Sequence, residues 1–262
     1  MSSSAMHVAA TGLSAQQLRM QTISNNLANA STTGFKRDRP NFESLLYQVS
    51  RTGGDRTGVD SMLSAGLAIG TGVRTVNTEK LYSQGAMITT ENSLDLAIDG
   101  QGFFQVLLPD GTMGYTRAGN FSRSVDGALT TASGYVVQPE ITIPDDAMQI
   151  SIAADGTVSV SIPGDAEMQE VGALTLANFA NPRGLLPVGE NFLVETPASG
   201  APVVAAPLDQ GFGKLVQGSL EGSNVNVVQQ LVDMIETQRA YEVNSKSITA
   251  VDEMMRFVSN NL

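Results

Sequence analysis

The stretch Ile23-Ser24-Asn25-Asn26-Leu27-Ala28-Asn29-Ala30-Ser31-Thr32-Thr33-Gly34-Phe35-Lys36 closes a segment with a strict apolar repeat. Met6, Leu13, Met20 and Leu27 recur every seven residues, with Ala9, Ile23 and Ala30 three positions after their respective members. That is the a/d stripe of a helix made to pack on another helix, broken at one d position by Gln16. Arg19 is the only formally charged side chain before Lys36, so no i,i+4 ion pair supports this helix by itself. Gly12 costs it about 1 kcal/mol more. Running from Ser4 to Asn29 it would be roughly 40 Å long. A helix of that kind is marginal alone and is expected to be ordered by partners.

The other end of the chain carries a second row with the same spacing. Val227, Met234, Tyr241, Ile248, Met255 and Leu262 repeat every seven residues, flanked by Leu231, Ile235, Val251 and Val258. Asn224 or Asn226 can cap its start. Gln238, Asn244 and Ser245 interrupt the stripe, which fits a partly polar multi-helix interface better than a tight dimeric zipper. Either segment alone could be an ordinary helix on a globular core. The two together, one at each terminus, predict a hairpin-like chain whose middle is inserted between antiparallel helices.

From Leu94 onward the texture changes to short alternating runs punctuated by turn signals. Asp110-Gly111, Asp126-Gly127, Ser133-Gly134 and Asp155-Gly156 separate runs such as Phe103 to Leu108 and Val158 to Ile162. Asp-Gly tolerates the positive φ of tight two-residue hairpin turns, so 95–202 is predicted to be an antiparallel β domain. Prolines at 202 and 207 mark 198–207 as a hinge or an extended connection. The Gly/Ser/Thr/Asp-rich stretch 47–72, including Arg51-Thr52-Gly53-Gly54-Asp55-Arg56-Thr57-Gly58, is either a flexible surface loop or a segment that orders against a neighbouring subunit. The fold class expected is therefore α+β. Discontinuous terminal helices, 1–30 with 224–262, embrace a connecting domain, 31–94 with 203–223, and the β domain.

Composition narrows the function. With 262 residues, a formal charge of −11 and no cysteine, the chain has room for more than one packing unit and offers neither a basic nucleic-acid surface nor thiol chemistry. The Met1 to His7 segment has no basic n-region followed by an apolar core, so no Sec signal is expected there. No apolar run is long enough to cross a bilayer. His7 is the single histidine, which leaves neither a Ser-His-Asp triad nor a multi-imidazole metal site to build, and it starts an apolar helix. Gly70-Thr71-Gly72-Val73-Arg74-Thr75 lacks both the third glycine of a dinucleotide fingerprint and the Gly-Lys-Ser/Thr of a phosphate loop. The acidic pairs Asp145-Asp146 and Asp95 with Asp99 lack calcium-loop spacing. Carboxylate pairs for glycoside hydrolysis are unsupported by aromatics, there being no Trp and 5% aromatic residues. The expectation is no enzyme and no cofactor, and a main task of assembly.

The segment Ile23 to Lys36 closely resembles the N-terminal signature of the bacterial flagellar rod and hook family. Asp95-Leu96-Ala97-Ile98-Asp99-Gly100-Gln101-Gly102-Phe103-Phe104 and Tyr115-Thr116-Arg117-Ala118-Gly119-Asn120-Phe121 are similar to segments of the family's β domain. Leu220-Glu221-Gly222-Ser223-Asn224-Val225-Asn226 and Gln238-Arg239-Ala240-Tyr241-Glu242 resemble its C-terminal signature. Gly70-Thr71-Gly72-Val73 and Tyr82-Ser83-Gln84-Gly85, after the Gly-rich insert, look most like the distal-rod type. Proximal rod and hook subunits are the nearer alternatives, and a periplasmic hydrolase with helical extensions is the remoter one.

The resemblance implies a helical homo-polymer of many copies, straight and rigid, whose terminal helices surround an export channel while the β domain faces outward. Its assembly residues would be Met6, Leu13, Met20, Ile23, Leu27, Val227, Leu231, Met234, Tyr241, Ile248 and Met255, with Asn25, Asn26, Leu27, Asn29, Gly34 and Phe35 as family signature. It also implies passage through the flagellar type III export apparatus without a cleaved signal, where Phe42 and Leu46 match a Phe-x-x-x-apolar gate pattern. The implied partners are proximal rod proteins, the hook protein and the surrounding P- and L-ring proteins, in a basal body that crosses the periplasm and outer membrane. Neither nucleic acid nor bilayer insertion is implied. The insert 47–72 would wedge between subunits and keep the rod from bending.

Overall fold

The computed structural model describes residues 2–52, 64–163 and 167–260; residues 53–63 of the insert, the side chain of Val258 and Leu262 lie outside the described residues. The fold is α+β, two long helices with antiparallel strands between them in sequence. Two compact units emerge from the contacts. One gathers Met1–Ala28, Asp38–Glu79 and Asn226–Leu262; the other gathers Asn29–Arg37 and Lys80–Val225.

The first unit holds α1 (Ser2–Ala28), β1 (Asp38–Ser44), β2 (Tyr47–Arg51), β3 (Leu67–Gly70), β4 (Val73–Lys80) and α2 (Val227–Asn260). β1 pairs with β4, and β2 with β3 in antiparallel register, Tyr47 opposite Gly70 and Val49 opposite Ala68. The insert is thus an extended two-stranded ribbon at both of its ends. Asn226 caps α2, its Oδ1 accepting from the Gln229 N–H at 3.1 Å. Asn224, the other candidate, has a different task described below.

The second unit is built from short antiparallel pairings. Its largest sheet has five strands in the order Val137–Gln138, Phe104–Leu107, Met113–Thr116, Phe192–Val194, Leu186–Gly189. Phe103 and Phe104 are consecutive, so their side chains leave the chain on opposite sides. Phe104 joins a core with Leu96, Ile98, Phe121, Leu129, Val158 and Leu174, and meets the Phe121 ring edge-on at 5.0 Å. Phe103 joins Tyr115, Phe179, Leu185 and Leu193 in a second core. The strand Leu96–Asp99 pairs with Lys214–Gln217, and Met87–Thr89 with Ser219–Glu221. The stretch 198–207 begins in a turn, where the Ser199 N–H donates to the Thr196 carbonyl, and is extended at Val203–Ala205, which pairs with Leu176–Asn178.

The glycine turns differ from the two-residue form that the Asp-Gly dipeptides predict. At each of the four, an N–H donates back across three intervening residues, as from Leu108 to the Thr112 carbonyl, while Gly111 donates to Leu108. Ser124–Ala128, Thr131–Tyr135 and Ala153–Thr157 repeat the pattern, with Gly127, Gly134 and Gly156 at φ between 82° and 91°. These are three-residue loops, a turn closed by one left-handed residue, and the glycine supplies that residue without steric cost.

One ion cluster ties the second unit together. Glu221 is completely buried, and its Oε1 accepts from Lys36 Nζ at 2.5 Å and from the Gly85 N–H at 2.9 Å. Its Oε2 faces Arg117 Nη1 at 3.3 Å. Lys36 also donates to the Ser83 carbonyl, and Arg117 to the Gly100 carbonyl at 2.7 Å. The Arg117 guanidinium lies 5.4 Å from the Phe103 ring centroid. Desolvation lowers both cations' pKa, and the Glu221 charge pulls each back up. Removing one member of such a buried cluster leaves an uncompensated charge, which costs about 3–5 kcal/mol. Glu221→Gln should therefore destabilise the second unit by that order in urea unfolding followed by tyrosine near-UV dichroism. Glu43→Gln, in the exposed Arg74–Glu43 pair, should change little. Equal stabilities of the two variants would refute the central place given to Glu221.

Candidate assembly surface

α1 and α2 lie alongside each other in the first unit. Two contacts set their direction and register. Asn26 Nδ2 donates to Gln230 Oε1 at 3.1 Å, and Gly12 faces Asn244, whose Nδ2 would lie 3.1 Å from a Cβ at position 12. Paired residue numbers therefore sum to 256 at both points, as antiparallel helices require. Asn26 also clasps the Asp38 backbone, its Oδ1 accepting from the N–H at 2.8 Å and its Nδ2 donating to the carbonyl at 2.9 Å. This signature side chain is buried and fully used.

The seam between the helices is small and polar. Ala15, Thr22, Ile23 and Asn26 are the buried residues of α1, and Gln230 and Thr237 those of α2. Gln16 Oε1 is buried without a hydrogen-bond partner among the described residues. The apolar row is displaced to the flanks. Met6, Leu13, Met20, Leu27, Met234 and Ile248 are half-buried, while Val227, Leu231, Tyr241 and Met255 are exposed. Of the eleven residues in the two apolar rows singled out from sequence, Ile23 is the one that is buried. Sequence reasoning missed Gly12, Ala15, Gln230 and Thr237 as seam residues, because periodicity weighs only apolar side chains; the spacing of 230 and 237 by seven was the available signal.

The outward side of α2 is strongly apolar. Val228, Leu231, Val232 and Ile235 share one face at helical spacing, with Leu231 45% and Ile235 51% exposed. Val243, Met254 and Phe257 continue the exposed apolar surface toward its end. The β2–β3 ribbon likewise exposes Tyr47, Val49, Leu67 and Ile69. Phe42 is half-buried in β1, and Leu46 after it is 89% exposed.

The remaining signature residues have local tasks. Asn25 is exposed, and Asn29 Oδ1 accepts from the Thr32 hydroxyl in the turn after α1. Gly34 has φ of 69°, and a Cβ there would come within 2.5 Å of the Ala118 nitrogen. Phe35 is buried beneath Lys80, and its carbonyl accepts from the Asn224 N–H. Asn224 in turn accepts from the Arg37 N–H and donates to the Leu81 and Ser83 carbonyls. Gln84 bridges Ile98 and Gly100, and Gly119 lets the Leu96 carbonyl pass where a Cβ would stand 1.7 Å away. The five signature segments are thus held to one another within the second unit, apart from the Asn26 clasp and Gln238 to Glu242 on α2. His7 sits on the exposed side of α1, and among the described residues no group of three metal-ligating side chains comes together. No described helix is long and apolar enough to cross a membrane.

Three family models match in chain order: a flagella basal body rod protein model over residues 6–36, a flagellar hook protein FlgE/F/G D1 domain over 97–160, and a flagellar basal body rod FlgEFG protein C-terminal model over 216–262. The flagellar basal-body rod protein FlgG of Buchnera aphidicola subsp. Schizaphis graminum is 52% identical over 96% of this chain and 97% of its own. Proteins of the same name from Agrobacterium fabrum and Borreliella burgdorferi are 48% and 42% identical, each over 98% of this chain and nearly all of their own length. The matched segments are the ones whose packing holds the second unit and joins α1 to α2, and the chain accordingly belongs to the flagellar rod and hook family, among its FlgG basal-body rod proteins.

Proposed function

We propose that this chain is a structural subunit of the flagellar distal rod, polymerising into a straight, rigid helical tube that carries motor torque to the hook and encloses the export channel. The observation that carries this reading is the inverted helix pair: polar and small residues fill its seam, and apolar residues face out from α2. A helix pair that served only its own chain would bury Leu231 and Ile235 and expose Gln230 and Thr237. Burying the outward face against neighbouring copies contributes about 25 cal/mol per Å². The contact joins different patches of successive copies, so it propagates instead of closing.

In this reading 1–30 with 224–262 form the inner layer, 31–94 with 203–223 a connecting layer, and 95–202 the outer domain. Proximal rod proteins and the hook protein are the end-to-end partners, and the P- and L-ring proteins surround the rod as it crosses the periplasm and outer membrane. The chain performs no catalysis. It reaches its place through the flagellar type III apparatus without a cleaved signal, with Phe42 and Leu46 read by the export gate in the unfolded chain. The β2–β3 ribbon supports a wedge between subunits, since its apolar side chains have little cover of their own.

Replacing Leu231 and Ile235 together by Asp should leave the monomer's unfolding free energy within about 0.5 kcal/mol, as for other exposed positions. Polymer and motility should be lost, as read by sedimentation and swarming; normal rods from this variant would sink the proposal. A chain lacking 50–65 should still polymerise but give rods that bend in electron micrographs, and straight rods would argue against the wedge.

A further inference from the structure

Past Ile235 the outward side of α2 changes character. Arg239, Glu242 and Lys246 follow at steps of four, three and four residues, which keeps them on one face of the helix, and all three are exposed. The seam positions Gln230, Thr237 and Asn244 repeat on the opposite side. Glu242 and Lys246 stand in the order and at the spacing that best favours an ion pair within a helix, yet no pair forms. The side chains of Arg239, Glu242 and Lys246 make no hydrogen bond or ion pair among the described residues. Nearer the end of α2, Arg256 does close on Asp252 at the same spacing, at 3.0 Å.

The α1 of a neighbouring copy cannot answer these charges. Arg19 is its one formal charge, and the first acidic residue of the chain is Asp38. The stripe, however, is complementary to itself. Viewed down the helix, Arg239 and Lys246 lie about 40° and 20° to one side of the Ile235 line, and Glu242 about 20° to the other. Along the axis Glu242 stands between the two cations, roughly 5 Å from each. Copies related by a screw share one direction, so two neighbouring α2 helices run parallel. The acidic flank of one then meets the basic flank of the other.

We infer that the Glu242 carboxylate of one copy seats between Arg239 and Lys246 of a second copy, aligning their α2 helices side by side. The two flanks are different patches, so the contact passes from copy to copy and does not close. The inference rests on the assembly reading above, which supplies the neighbouring copy.

The test uses the full-length chain, with polymer followed by sedimentation. E242R should raise the concentration needed for polymer about tenfold, since like charges then meet across the contact. R239E/E242R/K246E exchanges every sign and keeps the complementarity, so it should polymerise like the parent yet not co-assemble with it. A zero-length carbodiimide, applied to polymer grown from isotope-labelled and unlabelled parent copies, should join Glu242 to Lys246 in peptides of mixed label. That link decides the matter if E242R loses its helical dichroism. Parent-like polymerisation of a helical E242R, co-assembly of the triple variant with the parent, or links of mixed label that never pair Glu242 with Lys246 overturn the stripe contact while leaving the assembly reading intact. A parent chain that forms no polymer overturns the assembly reading, and this inference with it.

Discussion

The carboxylate of Glu221 answers two buried cations that come from segments 185 and 104 residues away in the chain. It also accepts from the Gly85 N–H, so three separate stretches converge on one pair of oxygens. The strand pairings around it are short, three residues for Met87–Thr89 with Ser219–Glu221. Short ladders define direction but little else, and an ion that must be satisfied from several sides defines position. Leu96–Ile98, Phe103, Gly100 and Lys36 keep their places because Arg117 and Glu221 have no other way to be buried together.

The helix pair obeys a different logic. Its seam is cut from Gly12, Ala15, Thr22, Asn26, Gln230 and Thr237, side chains that contribute little apolar area. The residues that would close an ordinary two-helix hairpin lie on the flanks and the back of α2. The two helices thus recognise each other by shape and hydrogen bonds, while much of the apolar surface of α2 stays exposed. This division lets one unit be specifically folded and still present an apolar face.

Much of this was legible in the residues. The two helices and the antiparallel middle follow from apolar spacing and turn chemistry, and the cap narrows to Asn224 or Asn226, of which Asn226 serves. The inner seam was not, because Gln230 and Thr237 fall outside the apolar rows and Asn244 reads as a break in a stripe when burial is inferred from apolarity alone. The turns were placed but mistyped, since Asp-Gly serves two-residue and three-residue loops alike and strand register decides between them. The Glu221 cluster was beyond reach, as nothing local links Lys36 to Glu221. Signature positions marked where such contacts lie without saying what they are.

The Asn26 clasp has a mechanical consequence. Apolar contact is non-directional, and two greasy helices can creep past one another by a turn at little cost. Here a slide of one heptad would set Asn26 against Thr237 and strand the amide of Gln230, and it would pull Asn244 off the notch at Gly12. The seam behaves as a spline with discrete teeth. Longitudinal shear meets an abrupt resistance at each tooth, a property suited to a part that must twist under load without slowly lengthening.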